Sequence, residues 1–111
     1  MPRRITAPIA LAFALILTLA FAAQAHRVKV FAYCDGDKIY TESSFSKSSP
    51  AQHSQIIVTT ADGTEVFSGT TDDQGKCDFP IPENAQGSLT ITIIAGEGHQ
   101  GEWVLEESEY R

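Results

Sequence analysis

The sequence predicts an all-β fold: a small antiparallel β-sandwich of seven strands that follows an N-terminal export signal. The chain has 111 residues, which is enough for one small domain. After an apolar stretch of about 25 residues, short runs of β-forming residues alternate with turn residues. No stretch in that part shows the 3.6-residue period of an amphipathic helix. Seven short runs in a domain of this size favour two packed sheets.

The first 25 residues are typical of a secretory signal. Two arginines lie within the first four residues, an apolar run follows over 9–22, and residues 23–25 form a small-x-small cleavage site. The alternative is an uncleaved membrane anchor, since about 20 apolar residues suffice to cross a bilayer. Pro8 and the cleavage site argue against it. We therefore predict that the mature protein begins at His26, is periplasmic or secreted, and has no membrane span of its own.

The first two strands are predicted as a hairpin. In the first, residues 27–34, the even-numbered residues face inward and Phe31 and Tyr33 face outward. An Asp-Gly-Asp turn at 35–37 leads into the second strand, residues 38–45. This turn sets a register in which Val30 faces Glu42 and places Glu42 on the same face as His26.

The other strands follow in the same way. Residues 43–50 are rich in serine and predict a loop, and turns are expected at 61–63 and 72–75. The remaining five strands are predicted at Gln55–Thr60, Thr64–Ser68, Lys76–Ile81, Ser88–Ala95 and Glu102–Leu105. Residues 26–105 thus form the predicted sandwich domain, and the polar tail 106–111 is expected to fray.

Charge and motifs exclude several classes of function. All 14 acidic residues but only six of the eight basic ones lie after residue 25, so the net charge of that part is −8. Such a chain lacks the basic surface that nucleic-acid binding requires, whereas its field attracts cations. The sequence contains no GxSxG, HExxH or phosphate-loop motif, and a domain this small leaves little room for a deep catalytic cleft. A non-enzymatic function is therefore predicted.

The two cysteines, Cys34 and Cys77, both fall at inward positions of predicted strands. Compartments beyond the cytoplasmic membrane oxidise thiols. A disulfide between Cys34 and Cys77 is therefore predicted, and it would stabilise the fold by about 3–4 kcal/mol. The alternative is a pair of separate buried thiols, which behave as small apolar groups.

The histidines are the candidate metal ligands. As a free N-terminus, His26 offers its α-amine and its imidazole Nδ1 together, a nitrogen chelate that suits nickel, cobalt, copper or zinc. His99 is expected at a strand end, where loops gather, and completes the predicted site. Glu42 and Glu102 are weaker candidates, as carboxylates that bind the metal or orient a histidine. The alternative is that His53 and His99 are ordinary exposed loop residues.

Three segments resemble known families. The mature start, AHRVKVFAYCDGDKIYTESSFS, resembles the opening of the periplasmic accessory components of nickel/cobalt ECF-type transporters, in the elements AH, VxVFA, the GD turn and YTESxFS. The middle segment, ADGTEVFSGTTDDQGKCDFPIP, is similar to a transthyretin-like or carboxypeptidase-regulatory-like repeat. The segment AGEGHQGEWVL resembles the A-x-x-GH-x-x-E-aromatic ending of the transporter components and contains His99, Glu102 and Trp103.

The resemblance covers residues 25 to about 105 and implies a transthyretin-like sandwich. It also implies a non-enzymatic accessory role in nickel or cobalt uptake, with the membrane subunits of a transporter as partners. The protein would bind the divalent cation or support the transporter's substrate-binding subunit; the choice between nickel and cobalt stays open.

Two other classes of function compete with this role. One is a metal-free sandwich module that binds a membrane or periplasmic partner. The other is an enzyme. A copper oxidative enzyme would hold its metal through an N-terminal histidine, but it needs a larger domain. Another enzyme of this kind would be a transthyretin-like hydrolase, but the terminal Tyr110 and Arg111 do not by themselves provide its catalytic groups.

Overall fold

The computed structural model describes residues 27–46, 48–96 and 98–111, and in these ranges two antiparallel sheets pack face to face. The strands are β1 (Lys29–Asp35), β2 (Lys38–Ser46), β3 (Ser49–Pro50), β4 (Gln55–Thr60), β5 (Glu65–Thr70), β6 (Lys76–Pro80), β7 (Leu89–Ile94) and β8 (Gln100–Leu105), followed by a 3₁₀ helix at Glu107–Glu109. The predicted all-β sandwich-like fold is confirmed. The predicted signal sequence and His26 lie outside the described residues. Within the described ranges, no helix has the length and apolar character needed to cross a bilayer.

The described ranges contain eight strands rather than the seven predicted, because β3 lies inside the predicted loop 43–50. Sheet A is built around β2, which pairs with β1 on one side. On its other side β2 pairs with two strands in succession: β6 along Lys38–Glu42 and β3 near Ser44 and Ser46. Sheet B has the order β5-β4-β7-β8. The edge strands β1 and β8 lie next to each other and form one seam between the sheets.

The hairpin between β1 and β2 turns through two residues, Gly36 and Asp37, rather than the three that were predicted. Gly36 has a φ of 65° at the first turn position, as in type II′ hairpins, and glycine adopts this conformation without a steric cost. One residue fewer in the turn shifts the register by one. Glu42 therefore faces Phe31, and the predicted pairing of Glu42 with Val30 is wrong.

The core lies between the sheets and consists of the inward-facing side chains, which occupy every second position along each strand. Its fully buried aliphatic members include Val28, Ile39, Ile56, Val58, Leu89, Ile91, Ile93 and Leu105. Phe79 from sheet A stacks on Phe67 from sheet B with ring centroids 4.3 Å apart. Each fully buried large apolar side chain stabilises the fold by about 1.5–3 kcal/mol.

The two cysteines face inward and pack against the core, as predicted, but both are free thiols. The structure therefore contradicts the predicted disulfide between Cys34 and Cys77. Cys34 is on β1, level with Ile39 of β2, whereas Cys77 is on β6, level with Thr41. Two strand spacings and an offset of two residues put their Cα atoms about 12 Å apart. A disulfide spans Cα atoms no more than about 7 Å apart.

The polar tail packs against the sandwich, so the prediction that it frays is wrong. Tyr110 is 4% exposed, and its hydroxyl donates a hydrogen bond of 2.7 Å to the carbonyl oxygen of Gly87. Arg111 donates to the carbonyl oxygen of Ala85 and forms an ion pair of 2.6 Å with Glu107. The segment is polar by composition, but it has one large side chain to bury.

Candidate metal site

The start of β1 lies against the beginning of β8 at one end of the sandwich. A Cβ placed on Gly101 would lie 2.4 Å from the carbonyl oxygen of Val28. Real Cβ atoms do not come so close to a backbone oxygen, so the two strands can approach each other here only because residue 101 is glycine. The contact fixes where the chain enters β1: beside the hairpin that joins β7 to β8.

That hairpin carries His99. The amide of Ala95 donates a hydrogen bond of 2.8 Å to the carbonyl oxygen of His99 and closes the loop. Gly96 and Gly98 have φ values of 87° and 75°, the left-handed region that this tight connection uses. The half-buried His99 ring meets the ring of Phe45 edge to face, with centroids 5.5 Å apart. Because Phe45 belongs to β2 of sheet A, the His99 ring reaches across to the opposite sheet.

His26, the first predicted ligand, lies outside the described residues. In the sequence, only Arg27 separates it from Val28. His99 is likewise two residues before Gly101. The contact between Val28 and Gly101 places the start of β1 beside the hairpin that carries His99.

The two predicted carboxylates do not converge. Glu42 points outward from sheet A beside Phe31, and Glu102 is exposed at an outward position of sheet B. The common face predicted for Glu42 and His26 depended on a pairing of Glu42 with Val30 that the hairpin does not adopt. Among the residues that the structure describes, no three His, Cys, Asp or Glu side chains cluster in a way that could hold a metal ion.

His53 is an exposed loop residue, as the alternative reading of the sequence had it. It lies between β3 and β4 with a φ of 49°, and its Nε2 is 2.5 Å from the Oδ1 of Asp73. The side chain of Gln52 donates a hydrogen bond of 2.7 Å to the carbonyl oxygen of Asp73. These contacts tie the loop before β4 to the turn before β6, which gives His53 a role in joining two loops.

The structure also shows a row of aromatic side chains on the outside of sheet A, and the sequence predicted only some of its members. Tyr40 stacks on Tyr33 at 5.5 Å, Tyr33 lies 5.6 Å from Phe31, and Phe31 meets Trp103 edge to face at 5.0 Å. We call these four residues the aromatic row. Phe31, Tyr33 and Trp103 are 45%, 39% and 36% exposed. Clustered exposed apolar side chains mark interaction surfaces.

The outward phase of β1 predicts the exposed positions of Phe31 and Tyr33, and Tyr40 lies half-buried opposite Tyr33 on β2. Trp103 was not predictable in this way. On β8 it has the same phase as the buried Leu105, but β8 is an edge strand, and its side chain reaches over the seam onto sheet A.

Comparison with known proteins assigns no family to the chain. No family model matches it, and neither a curated protein nor a solved structure does.

Proposed function

We propose that this protein is an exported, non-enzymatic accessory component of nickel or cobalt uptake. It binds the divalent cation outside the cytoplasmic membrane through His26 and His99, or keeps the transporter's substrate-binding subunit in a receptive state. The membrane subunits of that transporter are its partners. The resemblance of residues 25–46 and 95–103 to such components supports this function. The net charge of −8 over the residues after 25 supports it as well, because an acidic protein attracts cations over about 8 Å at physiological salt.

The contact between Val28 and Gly101 is the observation that carries the proposal. It places Val28, two residues after His26 in the sequence, beside the hairpin of His99. The amine and Nδ1 of an N-terminal histidine form a chelate, and the imidazole of His99 adds a third nitrogen donor. Glu42 and Glu102 point away from opposite sheets and are left out of the proposed ligand set. The remaining coordination positions are open to water or to a group from the transporter.

The experiment is a calorimetric titration of the exported protein with Ni²⁺ and Co²⁺. One glycine added before His26 converts the amine into an amide without a basic lone pair, so affinity should fall at least tenfold. His99→Ala should also weaken binding. His53→Ala is the matched control, because His53 is an exposed loop histidine held by Asp73, and it should leave affinity unchanged.

Lowering the pH should weaken binding by the unmodified protein, because protons compete with the metal for the amine and imidazole nitrogens. Circular dichroism would show that every variant is folded. Equal affinity in the unmodified, N-terminally extended and His99→Ala proteins would refute the chelate.

A metal-free interaction module is the second candidate function, and the exposed aromatic row favours it. Absence of heat in both titrations, with the fold intact, would support this function over metal binding.

A further inference from the structure

The outer face of sheet A has a charge pattern that runs along its strands. On β1 the outward residues are Lys29, Phe31, Tyr33 and Asp35: a base, two aromatic rings and an acid. Within the described ranges, neither Lys29 nor Asp35 forms an ion pair. The strand thus has an unpaired positive charge at one end, an unpaired negative charge at the other and exposed rings between them.

The other charges of this face are balanced within the chain. Lys38 is opposite Asp35 in the register of β1 and β2, but it forms its ion pair of 3.1 Å with Asp78, which balances its charge. Glu42 is opposite Lys76 in the register of β2 and β6. A partner that covers the face therefore meets no net charge in its middle. Only the two ends of β1 require a charge of opposite sign.

A second copy of the same chain meets this requirement. An interface between two identical chains around a two-fold axis must be self-complementary. We consider a two-fold axis that lies in the plane of the interface, is perpendicular to β1 and passes level with Ala32. This axis brings Lys29 opposite the partner's Asp35. Phe31 then comes opposite the partner's Tyr33. Each contact occurs twice, so two ion pairs about 20 Å apart flank a centre of aromatic rings.

We propose that a second copy of this chain docks on the outer face of sheet A, with the aromatic rows of the two copies in contact. Three strands about 4.8 Å apart and seven residues long give a face of roughly 15 by 23 Å. This is smaller than the roughly 800 Å² per partner of a standard interface, so the dimer is weak. The proposal does not depend on metal binding, and the experiments are done with a chelator present.

The first experiment is analytical ultracentrifugation of the exported protein from about 10 µM to about 1 mM, the range in which a weak dimer dissociates. The expected result is a reversible monomer–dimer equilibrium. The double variant Phe31→Ser/Tyr33→Ser should remain monomeric. Val104→Ser is the matched control, because Val104 is 48% exposed on sheet B, away from the proposed interface, and it should dimerise like the unmodified protein.

The second experiment exchanges the end charges. Lys29→Asp alone and Asp35→Lys alone each place like charges opposite each other, so both should be monomeric. An equimolar mixture of these two variants should form a mixed dimer, because every facing pair then has opposite charges. The double exchange should dimerise with itself again. All variants change exposed residues, and circular dichroism with thermal unfolding would show that they are folded.

An unmodified protein that stays monomeric at about 1 mM would overturn the proposal and would leave the face to another protein or to a sugar. A mixture of the two single-exchange variants that stays monomeric would overturn the two-fold arrangement.

Discussion

The carbonyl oxygen of Ser43 occupies the space where a side chain on residue 75 would lie: a Cβ on Gly75 would be 2.2 Å from it. The amide of Ser43 in turn donates a hydrogen bond of 2.8 Å to the carbonyl oxygen of Gly75. This contact holds the turn before β6 against β2 at the point where β6 gives way to β3 as the neighbour of β2. It requires a residue without a side chain and with a φ of 76°.

Gly75→Ala should therefore destabilise the protein more than an ordinary glycine replacement. Gly63→Ala is the matched control, because Gly63 has a φ of 89° but no atom within 4 Å of the added methyl group. The control measures the backbone strain alone, about 1–2 kcal/mol. Gly75→Ala should cost a further 1–3 kcal/mol or so for the clash. Urea unfolding of both variants measures the difference, and equal losses would show that the contact is not tight.

The carboxylate of Asp72 should make stability depend on pH. Its Oδ1 accepts hydrogen bonds of 2.9 Å from the amide of Lys76 and 2.8 Å from the amide of Gln74, and these bonds lower the pKa of Asp72. The unfolded chain lacks them and takes up the proton at higher pH. The stabilisation is therefore present at neutral pH and is lost as the pH falls below about 4.

Asp72→Ala should lower stability at neutral pH, and its deficit relative to the unmodified protein should shrink as the medium becomes acidic. The measurement is urea unfolding at neutral pH and at about pH 3. Glu83→Ala, which changes an exposed acidic residue in another turn, is the control and should show no such change. A deficit of the same size at both pH values would contradict the role of the Asp72 hydrogen bonds.

The separation of the cysteines predicts that both thiols stay reactive without a reducing agent. Labelling the denatured, unreduced protein should modify two thiols per chain, Cys34 and Cys77, and addition of reductant should leave the melting temperature unchanged. In the folded protein Cys77 should react more slowly than in the unfolded chain, because burial raises the pKa of its thiol and the thiolate is the reactive form. A Cys34→Ser variant isolates this rate. Fewer than two labelled thiols in the denatured protein would indicate a disulfide.

The C-terminal segment should contribute measurably to stability through Tyr110. Tyr110→Phe removes the hydrogen bond to Gly87 and should cost about 1 kcal/mol. Tyr110→Ala also removes a buried ring and should cost about 3–5 kcal/mol. Ser108→Ala changes an exposed residue of the same segment and is the control. If all three variants unfolded at the same urea concentration, the segment would be frayed after all.

The alternation of apolar and polar residues was enough to predict most of the strands. In β7, Leu89, Ile91 and Ile93 alternate with threonines and are buried. β4 has the predicted bounds, Gln55–Thr60, because an apolar run at 56–58 lies between turn residues. Burial on one face of a strand is a local property, and the sequence displays it directly.

The strand register and the way in which the two sheets meet were harder to predict, because they depend on single turn residues and on contacts between distant parts of the chain. The turn at Gly36 is one residue shorter than predicted, so Glu42 lies on the outer face of the hairpin and not on its inner face. The short β3 exists because the amide of Ala51 donates to the carbonyl oxygen of Ser43, and neither residue signals this contact by its type.

The same difference between local patterns and distant contacts applies to the candidate site. The position of His99 at a strand end could be predicted, because the turn residues around it mark the hairpin. The contact of Trp103 with Phe31 could not, since it depends on which edge strands meet when the sheets close.

The two sheets take their strands from interleaved parts of the chain. The sequence first supplies β1 to β3 to sheet A, then β4 and β5 to sheet B, and then returns to sheet A for β6 before it finishes sheet B. Thr41 and Cys77, joined by a hydrogen bond of 2.9 Å, are 36 positions apart. No single cut of the polypeptide separates the two sheets, because β6 of sheet A follows β4 and β5 of sheet B. The domain should melt in one cooperative step, and β2 cannot gain its partner β6 until about three quarters of the chain has been synthesised.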